Sequence, residues 1–152
     1  MDAVKFQNAL EDLLKKLGVQ TAVLDGVEPQ IGNTLRALLP VTKEGDVVLA
    51  EVMLAPYTED ALLLQIYSTM IAEIGPGYEA LKEMMLDWNL TAPLGAFGIY
   101  RQQRQLYHKY NYIVPTDADP EDMAKEILYL MNLVLDVISA HFTDAVRLSG
   151  HL

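Results

Sequence analysis

The chain has 152 residues, 51% of them hydrophobic, with 21 acidic against 11 basic side chains and a formal charge of −10. That length fits one domain, and so high an apolar fraction excludes a disordered chain. The absence of cysteine excludes disulfides, thiolate metal centres, iron–sulfur clusters and thiol catalysis, while the acidity opposes a phosphate backbone or an anionic lipid surface as partner.

In chain order, residues 3–17 read as an amphipathic helix. Val4, Phe6, Leu10, Leu13, Leu14 and Leu17 recur at spacings of three and four, with Asp2 as the cap and Gly18 as the stop. Residues 19–32, with Gly26, Pro29 and Gly32, form a connection that has room for a short extended piece near Ala22–Leu24 as a weak edge strand. Three strands follow at 34–41, 47–55 and 61–73, joined by short polar breaks suited to antiparallel turns. Both faces of 47–55 are apolar apart from Glu51, the pattern of a central strand covered on both sides. Segment 61–73 fits a helix equally well by periodicity alone.

Gly75-Pro76-Gly77 opens a second helix that runs to about Trp88 on a stripe of Tyr78, Leu81, Met84, Met85 and Trp88, and Pro93 ends it. Strands at 96–102 and 105–114 leave only Gln103 and Arg104 between them, a hairpin distance. In the second of these, Leu106, His108, Tyr110, Tyr112 and Val114 share one face, and Tyr107, Lys109, Asn111 and Ile113 the other. The closing helix, 119–148, has Asp119 as its cap, Pro120 in its first turn and acids beside them. Its apolar stripe is wider than one side of a small sheet needs, which predicts a second packing partner. The order α-βββ-α-ββ-α describes a single α+β domain with an antiparallel sheet packed by helices.

The first residues lack a basic start followed by an apolar run, and the longest apolar stretch, 127–140, is broken by Asn132, Asp136 and Ser139. Neither a secretion signal nor a membrane span is expected, so the expected location is cytoplasmic.

The element order, together with MMLDWNL (84–90), Ala92-Pro93-Leu94-Gly95-Ala96-Phe97, the strand 105–114 and PTDADPEDMAKEIL (115–128), resembles the YbjN family, within the wider group of type III secretion chaperone-like folds. The resemblance implies a compact α+β domain, often homodimeric or protein-binding. Some relatives are described as sensory-transduction regulators. True secretion chaperones are small acidic cytoplasmic dimers that hold an extended segment of a secreted client. The resemblance assigns no residue a role.

Catalytic chemistry finds no foothold in the residue pattern. His108 reads as a strand residue among aromatics, His141 and Asp144 as a helix-surface pair, and His151 as a terminal residue. DADPED (117–122) lacks the glycine and distal glutamate of a calcium loop and reads as helix capping. Gly75-x-Gly77 and Gly95-x-x-Gly98 are backbone punctuation, not phosphate cradles. Arg101, Arg104 and Lys109 among tyrosines are too few to offset an acidic chain for nucleic-acid binding. No catalytic residue, metal ligand or cofactor is expected. Glu51, alone in an apolar strand, is expected to face solvent, pair with a cation such as Arg36, or mark a groove.

What remains is a protein-interaction domain, expected to be homodimeric or to hold a protein or peptide client, with the terminal helix or a sheet edge as the contact. The expected contact residues are Glu51 and Tyr57 near the first sheet segment, Tyr107, Tyr110 and Tyr112 on the late hairpin, and Leu133, Val137 and Phe142 on the terminal helix. The alternative is a small-molecule-sensing or enzymatic domain with a pocket between sheet and helices, near Glu51 or His108.

Overall fold

The computed structural model describes residues 1–26 and 33–150, so His151, Pro29 and Gly32 lie outside the described residues. Capping chemistry sets both outer helices. α1 (Ala3–Lys16) starts where the Asp2 carboxylate accepts from the amides of Val4 and Lys5, both at 3.1 Å, and Gly18 turns left-handed (φ 78°) past its end. At α3 (Pro120–Ser149), Asp119 accepts from the Asp122 amide at 3.0 Å, and Gly150 closes the helix at φ 80°.

Between them run β1 (Gln20–Leu24), β2 (Thr34–Pro40), β3 (Val47–Pro56), β4 (Ala61–Ile71), α2 (Tyr78–Thr91), β5 (Ala96–Tyr100) and β6 (Gln105–Pro115). The six strands form one sheet in the order β1-β2-β3-β4-β6-β5, every neighbouring pair antiparallel. This is a single α+β domain with helices packed on an antiparallel sheet.

Two details differ from the sequence expectation. The order is α-ββββ-α-ββ-α, because the extended piece near 22–24 is a complete edge strand, paired from Gln20↔Leu38 to Leu24↔Thr34. Its side chains are mostly exposed, so burial left little pattern to read. The strand expected at 61–73 is present as Ala61–Ile71, held on both sides by β3 and β6, with a register shift between Thr69 and Ile71. Finally, β5 stops at Tyr100, and Arg101–Arg104 form a four-residue turn in place of the expected two-residue one. Arg104 takes φ 53°, a conformation usually left to glycine. Its guanidinium offsets that strain by donating to the carbonyls of Ile74 (3.1 Å) and Gly75 (3.0 Å), and it lies 4.6 Å from the centre of the Tyr78 ring.

The helices lie in the order α1, α3, α2 across one sheet face: α1 over β1 and β2, α3 over β4, α2 against β5. Beneath them Leu35, Ala37, Val48, Ala50, Val52, Leu64, Ile66, Leu106 and Val114 are buried. The broad apolar stripe of α3 is absorbed inside the chain, with α1 on one flank and α2 on the other, so it needs no outside partner for that reason. The expected cover on the second face of β3 is not found: among the described residues no helix lies over Leu49, Glu51 and Met53. No described helix is long and apolar enough to cross a membrane.

The start of α2 is bolted to the end of α3. The Gly75 amide donates to Ser149 Oγ at 3.0 Å and the Gly77 amide to the Ser149 carbonyl at 3.1 Å, so the positive end of one helix dipole meets the negative end of another.

Candidate functional site

The end of α2 and the turn that follows it build one wall of a groove. Trp88 is buried on the inner side of α2. Next to it the Asn89 side-chain amide behaves as a short piece of strand. Its Nδ2 donates to the Phe97 carbonyl at 2.9 Å, and its Oδ1 accepts from the Phe97 amide at 2.7 Å. This pins β5 to α2 and occupies the outer edge of β5 at Phe97, its second residue. Pro93 forbids further helix, and Thr91, Ala92, Pro93 and Leu94 descend along α3. The facing wall is Leu133, Asp136, Val137, Ala140 and His141 of α3, and the groove between the walls holds about 630 Å³. That volume lies within the range that holds an organic ligand or several side chains of a peptide.

An aromatic cluster forms the backing of the groove. Trp88 stacks on His141 with ring centres 4.8 Å apart and planes at 20°. Phe97 meets Trp88, His141 and His108 edge-on at 5.6, 5.5 and 5.0 Å. Burial lowers the pKa of His141 from its ordinary value, and Asp144 opposes that shift.

His108 lies deeper and is fully buried. Its Nε2 is 2.9 Å from the Leu94 carbonyl, which can only accept, so Nε2 carries the proton. Nδ1 has no hydrogen-bond partner, and neither has the buried hydroxyl of Ser68, its register partner on β4. Burial lowers the His108 pKa, and the Leu94 hydrogen bond opposes the shift. The sign for stability follows directly. Below about pH 6.5 the unfolded chain takes up a proton that the folded state resists, so stability present above that pH is lost as pH falls. His108→Gln is expected to flatten most of that dependence between about pH 7.5 and pH 5.5, as read by urea unfolding across the interval. Equal slopes in the parent and the variant would show that His108 is not held neutral.

The structure sends the expected contact residues to five places. Glu51 and Tyr107 stand on the uncovered sheet face, Glu51 bonded to Arg36 at 3.2 Å and Tyr107 stacked on Tyr67 at 4.8 Å. On that face burial, then Tyr107 and Glu51, push the Tyr67 phenol up to about 12. Tyr57 is exposed beside the β3–β4 turn. Tyr110 and Tyr112 point to the helix side, half-buried, and the Tyr112 hydroxyl donates to Glu126 of α3. Leu133 and Val137 line the groove, and Phe142 is buried in the core.

The sequence reading missed the groove's second wall, Thr91–Leu94, which it took as a helix stop. It also paired His141 with Asp144, and the Trp88 stack has no signature in chain order. A smaller cavity of about 170 Å³ lies between α1 and the β2–β3 pair, with the buried Gln7 Nε2 unpartnered beside it. Among the described residues no group of three or more His, Asp or Glu side chains is arranged to hold a metal ion. No family model matches the chain, and no curated protein is significantly similar to it.

Proposed function

We propose that this chain is a non-enzymatic protein-interaction domain whose groove between α3 and the α2–β5 connection takes an extended apolar segment of a partner protein. The observation that carries this reading is the groove itself, about 630 Å³ between two pinned walls, with Leu94, Leu133, Val137 and Ala140 along it. The walls are already in place without an occupant, so little ordering cost falls on binding. Asp136 lies at the groove and the chain carries −10, which favours lysine or arginine flanking the apolar segment. Strand addition along β5 is disfavoured because Asn89 already occupies its outer edge.

The likeness to the YbjN family and the type III secretion chaperone-like group supports the same reading, since such chaperones are small acidic cytoplasmic proteins that hold extended clients. On that likeness the domain would act in a bacterial cytoplasm, as a chaperone or as a regulator that binds another protein.

Selection of a phage-displayed random peptide library on the full chain tests the proposal. Enriched peptides should combine large apolar residues with flanking lysine or arginine and should shift the fluorescence of Trp88, the single tryptophan. Leu133→Asp and Ala140→Arg should each weaken the enriched peptides about tenfold or more, the effect of losing one buried apolar anchor. Their far-UV circular dichroism should be unchanged. Absence of enrichment, or equal binding by both variants, would overturn the reading.

A further inference from the structure

The uncovered sheet face carries little of the acidic charge. Of the 21 acidic residues, only Glu51 lies in a described strand, and Arg36 neutralises it at 3.2 Å. With Lys109 on the same face, the balance there is two cations against one anion. On the acid-bearing helices a copy of this chain approaching another brings like charge to like charge.

The side chains on this face fall into rows set by the strand register. One row reads Arg36, Glu51, Tyr67, Lys109 across β2, β3, β4 and β6. A second reads Leu38, Leu49, Thr69, Tyr107, and a third Ala55, Leu63, Ile113. The row from Leu38 to Tyr107 flanks the charged one directly; on the other side Met53, Gln65 and Asn111, with the Gln65 amide donating to Asn111 at 3.2 Å, stand between the charged row and the apolar row of Leu63 and Ile113. Leu38, Leu49, Met53 and Leu63 are only half-buried, and Ile113 is 49% exposed. A monomer would leave this apolar area in water.

The pattern is self-complementary. Strands β3 and β6 flank β4, so a two-fold rotation about an axis along β4 lays β3 of one copy over β6 of the other. Glu51 then faces Lys109 of the partner subunit, twice by symmetry. Leu49 faces Tyr107 of the partner subunit, and Leu63 meets Leu63 of the partner subunit near the axis. Sheets packed face to face in this way align at about 30° and about 10 Å apart. With β4 on the axis the five strands from β2 to β5 overlap, and four strand spacings of ~4.8 Å by four rows at ~6.8 Å give roughly 500 Å² of flat face on each copy. The two copies together then bury about 1,000 Å² before side-chain relief is counted, the lower bound of a specific interface.

We infer that the uncovered sheet face is the docking surface for a second copy of this chain, joined through a two-fold axis along β4. The groove lies on the helix side of the sheet, so this dimer stands or falls separately from the peptide site.

Sedimentation equilibrium over a dilution series from about 100 μM downward, joined to cysteine cross-linking, tests the inference. The parent should sediment at twice 17.0 kDa. Leu63→Arg, which sets a charge against itself near the axis, should give a monomer with unchanged circular dichroism. Lys109→Glu, which places a carboxylate opposite Glu51, should weaken the dimer about tenfold or more. Because the chain has no cysteine, Leu63→Cys adds a lone thiol that should form a covalent dimer under mild oxidation, while Ala140→Cys on α3 should not. Three results would overturn the inference. These are a parent monomeric at about 100 μM, a dimer indifferent to both Leu63→Arg and Lys109→Glu, or cross-linking through position 140 in place of 63.

Discussion

Gly77→Ala is expected to cost about 3 kcal/mol or more, although it adds a single methyl group. A Cβ at this position would land on the Leu148 carbonyl oxygen, and it would lie only 2.8 Å from the Leu148 carbonyl carbon and 3.3 Å from that of Ser149. All three are backbone atoms of the last turn of α3, so no side chain can swing aside. The only relief is to move the start of α2 away from α3, and that breaks the bonds from Gly75 and Gly77 to Ser149. Gly18→Ala provides the comparison. That residue has φ +78° but nothing within 4 Å of its missing Cβ, so only conformational strain of about 1–2 kcal/mol is at stake. Chemical denaturation of both variants should therefore separate them clearly. A Gly77→Ala loss no larger than that of Gly18→Ala would mean that the helix junction is looser than described.

Trp88→Ala should be comparably damaging, by about 3–5 kcal/mol, because a large aromatic is removed from a packed cluster. Trp88 is 6% exposed, stacked on His141 and edge-on to Phe97. Its removal opens a cavity behind the groove and frees the His141 ring. Trp88→Phe keeps a ring in place and should cost less than half as much. The same pair of variants separates stability from binding. At a temperature where both are folded, a partner peptide should bind Trp88→Phe nearly as well as the parent, and Trp88→Ala far more weakly. Thermal unfolding followed by far-UV circular dichroism reads the first effect, since the tryptophan signal is lost. Equal melting temperatures for the two variants would contradict the packing described.

Much of the architecture was legible because its signals are local. The strict alternation in Gln105–Pro115 sorted Leu106, His108, Tyr110, Tyr112 and Val114 from Tyr107, Lys109, Asn111 and Ile113 as the structure does. Asp2, Gly18, Asp119 and Pro120 marked helix ends through chemistry that acts within one turn. What was hidden depends on assembly. Leu62, Leu63 and Leu64 are apolar whichever way the chain curls, and only the strands on either side make 61–71 extended. Arg104 sits at a positive φ that its type does not announce, and the carbonyls that hold it come from 29 and 30 residues earlier. The two faces of β3 look alike in sequence, and the helices, arriving from both ends of the chain, choose the one bearing Val48, Ala50 and Val52. For the groove, Leu133 and Val137 could be singled out from the helix stripe, but their opposite wall is a turn 40 residues upstream whose chemistry reads only as an interruption.

The Asn89 amide on Phe97 also bears on how the protein behaves when crowded. A sheet with two free borders can recruit copies of itself at both and grow into a ribbon without limit. Here one border has the backbone groups of Phe97 already taken, and a newcomer would have to evict a side chain before it could seat. Growth from the β1 border alone, border to border, ends after two molecules. The substitution Asn89→Ala would remove that stop, and slow fibre formation in concentrated stocks is where its absence would be noticed.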